Sequence, residues 1–165
     1  MKVSPITSRT GTLVLATVAG LAIAACGSGS SPSTSSAASK PKPAATLVET
    51  RTATVDGKSE TVLTNSRGLV LYYFTPDRGG KVTCTGSCAS LWPPLMLPSG
   101  QSKPTGPSSI SAKLGTVANP SGGTQVTYNG WPLYTYAKDT DPGDVYGQNV
   151  GGKWFVVTPN TPPAS

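Results

Sequence analysis

The amino-acid sequence predicts a mainly β fold: a small single domain built from two pseudo-symmetric β repeats, placed after a signal peptide and a disordered stalk. Three observations carry this. Leu71, Tyr72, Phe74 and Asp77 return at one fixed offset as Leu133, Tyr134, Tyr136 and Asp139, and Gly68 and the rare Trp92 return at that offset as Gly130 and Trp154. A chance match of that kind is hard to defend, so the pattern marks a duplicated structural unit. The runs around both copies are short and rich in aromatic and β-branched residues, and no window has the length and 3.6 periodicity of an amphipathic helix.

The N-terminus is a targeting segment. Lys2 and Arg9 form a basic region, and Leu13 to Ala24 is an apolar run of 12 residues, too short to span a bilayer as a stable helix. The run ends in Ile23-Ala24-Ala25-Cys26, which resembles the lipobox of bacterial lipoproteins. That resemblance implies a signal peptide over residues 1–25, cleavage before Cys26 and lipid on the Cys26 sulfur, whose thiolate is the nucleophile for the diacylglyceryl group. Two or three acyl chains make a stable anchor, whereas one binds only marginally at about 0.8 kcal/mol per buried methylene.

Residues 26–45 read as the lipidated Cys followed by a flexible stalk of Gly, Ser, Pro, Ala, Thr and Lys. Without large apolar side chains such a segment cannot offset the entropy of ordering. Residues 46–160 then form the two-repeat domain, with repeat 1 at about 63–95 and repeat 2 at about 125–158, and 161–165 are a tail. About 115 residues support one core.

Within the domain, Thr46 to Val55 and Ser59 to Thr64 flank the hairpin signal Asp56-Gly57. Leu69 to Thr75 is the strongest strand candidate, and its period of two puts Tyr72 and Phe74 on one face, as it does Tyr134 and Tyr136 in the second copy. Further strands are expected at Thr124 to Tyr128, Pro132 to Tyr136 and Lys153 to Thr158, with a tight turn at Asn129-Gly130. Pro93, Pro94, Pro98, Pro104, Pro107 and Pro120 predict a long irregular connection between the copies, because Pro cannot donate to a sheet ladder.

With these residues in place, the chain resembles the bacterial family called secreted repeat of unknown function. The matching segments are Gly68 to Asp77, Cys84 to Cys88 with Leu91-Trp92-Pro93-Pro94-Leu95, Gln125 to Gly130 with Pro132-Leu133-Tyr134, and Asp141 to Asp144 through Gly147-Gln148 to Trp154. Family members are often lipoproteins with a Tyr-x-aromatic-x-x-Asp motif and have no settled activity, so the resemblance implies location and fold more than mechanism. Members tend to carry an Arg and an Asp-Gly where this chain has Ala118, Asn119, Pro120, Ser121 and Gly122.

The composition narrows the chemistry. There is no His, which removes imidazole ligation and the usual Ser/His and Cys/His nucleophiles. The formal charge is +6, of which Lys2 and Arg9 supply two, and the remaining basic residues are scattered, so no nucleic-acid footprint is expected. All 11 aromatic residues lie between Tyr72 and Phe155.

Cys84 and Cys88, the pair left once Cys26 is lipidated, are expected to form a disulfide outside the cytoplasm; a copper or redox site with Met96 is the sharper but thinner alternative. Asp139, Asp141 and Asp144 bracket Pro142-Gly143 in a pattern that departs from a calcium loop, so a solvated acidic turn is preferred. Asp77 and Asp139 are expected to accept backbone N–H groups of their turns, the alternative being a carboxylate pair for glycoside hydrolysis. Trp92, Trp131, Trp154 and the Tyr pairs are expected in the core rather than in a ligand groove.

The sequence therefore points to a membrane-anchored cell-surface lipoprotein with no catalytic residue, cofactor or metal assigned. Its partners are the membrane, through the lipid, and an envelope component or small ligand. A surface hydrolase using Asp77 and Asp139, and a small-ligand or metal-binding module, are the alternatives.

Overall fold

The computed structural model describes residues 46–165. The expected signal peptide, Cys26 and the expected stalk lie outside the described residues. The first hairpin pairs β1 (Val48–Val55) with β2 (Lys58–Asn65), Val55 opposite Lys58. Its two-residue turn holds Asp56 at φ 48° and Gly57 at φ 77°, both in the left-handed region that Asp-Gly tolerates. A second hairpin pairs β4 (Leu114–Ala118) with β5 (Thr124–Tyr128), which continues into β6 (Trp131–Pro132) through the same kind of turn, Asn129 at φ 48° and Gly130 at φ 84°. Between them β3 (Tyr72–Phe74) pairs antiparallel with β7 (Trp154–Val156). The domain is mainly β, with small antiparallel sheets.

The two copies are interlocked. At their centre Tyr72 N–H donates to the Tyr134 carbonyl at 2.8 Å and Tyr134 N–H donates to that of Tyr72 at 3.0 Å. Outward from this dyad, Val157 N–H donates to Leu71 O and Leu95 N–H donates to Leu133 O, both at 2.9 Å. Thr75 N–H to Lys153 O and Ala137 N–H to Leu91 O match again at 2.9 Å. Each copy's Tyr strand is thus completed by the Trp-bearing segment of the other copy. The hairpins close the same exchange, with Leu63 N–H on Val157 O and Val126 N–H on Leu95 O, each at 2.8 Å.

Because successive side chains point to opposite faces, the central strands feed two cores at once. Val62, Val70, Tyr72, Tyr134 and Val156 enter one core with Trp92, Tyr136 and Trp154. Their neighbours Leu63, Leu71, Leu133 and Val157 enter the other, with Val48, Ile110, Val126 and Tyr128. Phe74 lies against the first core, so the aromatic pairs of both copies share a face, as the period-two reading expects.

Some elements differ from the sequence reading. The connection between the copies is not wholly irregular: it contains α2 (Ser108–Ser111) and β4, and a short α1 (Ser87–Leu91) precedes it within repeat 1. These pieces are four or five residues long, below the length at which periodicity shows. β4 owes its place to its partner β5 and to a turn in which Asn119 Oδ1 accepts the Ser121 N–H at 2.8 Å. The strands expected over Leu69 to Thr75 and Pro132 to Tyr136 are shorter as ladders, because the chain changes partners along them. Thr75–Gly80 turns as a 3-10 segment. Residues beyond Asn160 lie on the domain, with Ala164 N–H on Asn129 O at 3.0 Å and Gly79 N–H on Ala164 O at 2.8 Å.

Candidate functional site

The repeated Tyr and Asp meet across the dyad rather than within their own copies. Tyr72 OH donates to Asp139 Oδ2 at 2.6 Å, and Tyr134 OH donates to Asp77 Oδ2, also at 2.6 Å. The strand ends explain the exchange. Each Tyr points into the first core from a central strand, and each Asp follows the neighbouring strand where the chain turns back under it. Asp77 is fully buried and Asp139 is 3 % exposed.

The two clamps are not equivalent. Asp77 Oδ1 also accepts Thr83 N–H at 2.8 Å and Thr83 Oγ1–H at 2.5 Å. Asp139 Oδ1 accepts only Tyr146 N–H, at 3.1 Å, while Gly147 N–H donates to the Tyr72 hydroxyl at 3.3 Å. Asp77 thus has three donors and Asp139 two. Burial pushes Asp139 up to about 6; the hydrogen bonds from Tyr72 and the Tyr146 N–H pull against it, and nearby Asp144 adds to the rise. Both clamped phenols are pushed far above the usual tyrosine value, first by burial and then by the carboxylate that each faces.

Between the clamps runs a column of four rings. Phe74 stacks on Trp154 at 4.2 Å between centroids, Trp154 on Trp92 at 3.8 Å and 1°, and Trp92 on Tyr136 at 4.2 Å. Tyr72 meets Trp92 edge-on at 5.4 Å and Tyr134 meets Trp154 edge-on at 5.2 Å, so the column obeys the dyad. Pairs in such geometry contribute about 0.5–1.5 kcal/mol each beyond area burial. Trp92, Trp131, Trp154 and Tyr136 are all buried, so these rings form core and do not line a groove. A shallow depression of about 620 Å³ beside Thr50, Glu60 and Pro159 contains none of the repeated motif residues.

The hydrolase alternative loses its geometric basis here. Both carboxylates are buried and occupied by hydroxyl and backbone donors, so neither is open to a sugar. The copper alternative loses its thiolates: Cys84 and Cys88 form a disulfide with Cα atoms 5.2 Å apart. In the acidic turn, Asp144 Oδ2 accepts the N–H groups of Thr140 and Asp141 at 3.1 and 3.0 Å, while Asp139 faces Tyr72. Among the described residues no three His, Cys, Asp or Glu side chains converge as a metal site.

Each Asp does accept a backbone N–H, but from Thr83 and Tyr146, six and seven residues on, and not from its own turn as expected. Sequence reasoning missed the phenol partners and the donors Thr83, Tyr146 and Gly147. One signal was available: a Tyr and an Asp duplicated together can exchange partners about a dyad, and the fixed offset from Thr83 ends one residue short of Tyr146. Among the described residues no helix is long and apolar enough to cross a membrane.

No curated protein and no solved structure matches the chain. A family model does match, twice, over residues 53–96 and 115–158, which together make more than half of the sequence. Its two matches take in both hairpin turns, both Tyr strands and both Trp-bearing segments, and the chain belongs to the family described as secreted repeat of unknown function.

Proposed function

We propose that this chain is a lipid-anchored cell-surface protein, a non-enzymatic module held off the membrane by a stalk, where it binds or organises envelope components. The observation that carries the anchoring is the run from Lys2 to Cys26, with basic region, apolar run and Ile23-Ala24-Ala25-Cys26 in register. Membership in a secreted-repeat family supports the location. The non-enzymatic reading is supported by the clamps: the carboxylates of the repeated motif are spent on phenol and backbone donors inside the core.

The membrane is the first partner, through diacylglyceryl and acyl chains on Cys26. A modest, scattered positive charge suits a position beside anionic lipids or wall polymers. The second partner is an envelope component or small ligand, and no nucleic acid enters. Cys26→Ala tests the anchor. The variant is expected in the medium or soluble fraction without incorporated fatty acid, and a Cys26→Ala chain that stays membrane-bound and lipid-labelled overturns the proposal.

A further inference from the structure

The dyad is also broken at the turn glycines. In repeat 1 the turn glycine Gly68 is covered by Pro142 from the other copy, close enough that a Cβ on Gly68 would lie 3.0 Å from that of Pro142. The equivalent of Pro142, at the offset that takes Gly68 to Gly130, is Gly80, which has no side chain with which to cover Gly130. The notch so left is filled by the C-terminal segment: a Cβ on Gly130 would lie 3.5 Å from Ala164 Cβ.

The contacts around the notch are those of peptide recognition. Tyr128 OH donates to Pro159 O at 3.0 Å, Asn129 Nδ2 to Thr161 O at 2.7 Å and Trp131 Nε1 to Pro162 O at 2.9 Å. Ala164 then makes two backbone bonds, donating to Asn129 and accepting from Gly79. Every side chain in this set reads a backbone carbonyl, while Pro162 and Pro163 themselves stay exposed. Proline suits that role: it has no N–H to leave unpaired, and its fixed φ lowers the cost of ordering an extended segment. At the notch itself the half-buried Ala164 packs its methyl group toward Gly130.

We propose that this notch is a peptide-binding site whose ligand is an extended, proline-bearing segment of another polypeptide with a small residue after the prolines, and that Pro162–Ala164 is its built-in occupant. The segment in cis competes at high effective concentration, so the site is closed until a stronger or more abundant ligand displaces it. The inference rests on the surface-module reading for where such a ligand is met.

The probe is a labelled peptide, Thr-Pro-Asn-Thr-Pro-Pro-Ala-Ser, titrated into the purified full chain in detergent and into a variant with residues 162–165 all replaced by Gly. Saturable binding is expected for the four-glycine chain, at least about tenfold tighter than for the unaltered chain, and about tenfold weaker again when Trp131→Phe removes the indole donor. Equal binding to both chains, or none to a four-glycine chain whose Tyr72 and Tyr134 amides remain protected from exchange, overturns the proposal. Loss of that protection also overturns it, since the segment is then a structural strut. Binding is read on purified protein irrespective of lipid, so failure here leaves the anchoring claim standing, and failure of Cys26→Ala leaves this one standing.

Discussion

Asp139 gives this domain one contribution to stability that falls as pH rises. Its folded carboxyl is raised from 3.8 to about 6 by burial, so between those values the folded chain holds a proton that the unfolded chain has released. Stability then falls as pH rises through this window, because the folded state binds more protons than the unfolded one. The contribution is fully present below about pH 4 and lost above about pH 6. A rise of that size corresponds to about 3 kcal/mol in all, with a limiting slope near 1.4 kcal/mol for each pH unit. The structural cause is specific: a carboxylate 3 % exposed, with two donors where its counterpart Asp77 has three.

The assay is urea denaturation followed by tryptophan fluorescence from about pH 4 to 7.5, on the unaltered chain and on Asp139→Asn. The asparagine cannot titrate, so the difference between the two profiles isolates this group from the surface carboxylates. The unaltered chain should lose stability relative to the variant as pH rises, most steeply near about pH 5–6. A flat difference profile, or one in which the unaltered chain gains on Asp139→Asn with rising pH, refutes the reasoning.

Tyr72→Phe and Tyr134→Phe each remove a hydrogen bond to a buried carboxylate, a loss of about 1.5–3 kcal/mol. Tyr72→Phe should be the costlier at neutral pH by chemical denaturation, because Asp139 keeps one donor and Asp77 keeps two. Gly147→Ala places a Cβ 2.7 Å from Tyr72 Cζ and 2.9 Å from Trp92 Cη2, and should cost about 1–3 kcal/mol by overpacking in the same assay. The interlocked strands predict one transition for both repeats, so circular dichroism and tryptophan fluorescence should give coincident unfolding curves.

The β class and the duplication were legible because they are written in period and offset, which survive in any single sequence. The hairpin turns were legible for a local reason, since Asp56-Gly57 and Asn129-Gly130 name residues that accept positive φ. The disulfide follows from spacing and compartment alone. The clamps were not legible in that way. Which phenol meets which carboxylate depends on strand pairing between residues 67 and 57 positions apart, and nothing local to Tyr72 or Asp139 records it. The part played by Thr83 is likewise a tertiary fact, because the Cys84–Cys88 turn carries its hydroxyl back over Asp77.

The exchange of partners also explains why the motif couples a Tyr to an Asp a few residues further on. If each Tyr bonded its own Asp, the pair would stabilise a single copy and say nothing about the other. Crossed, each bond fails unless both copies are folded and in register, so the motif works as a lock between units and not as a site within one. That accounts for the burial of every ring at the centre of the column and for the absence of the repeated residues from the surface depression beside Thr50. Outside this lock the two copies differ. Gly80 against Pro142 is such a difference, and it is there that the chain lays its own C-terminus across the surface.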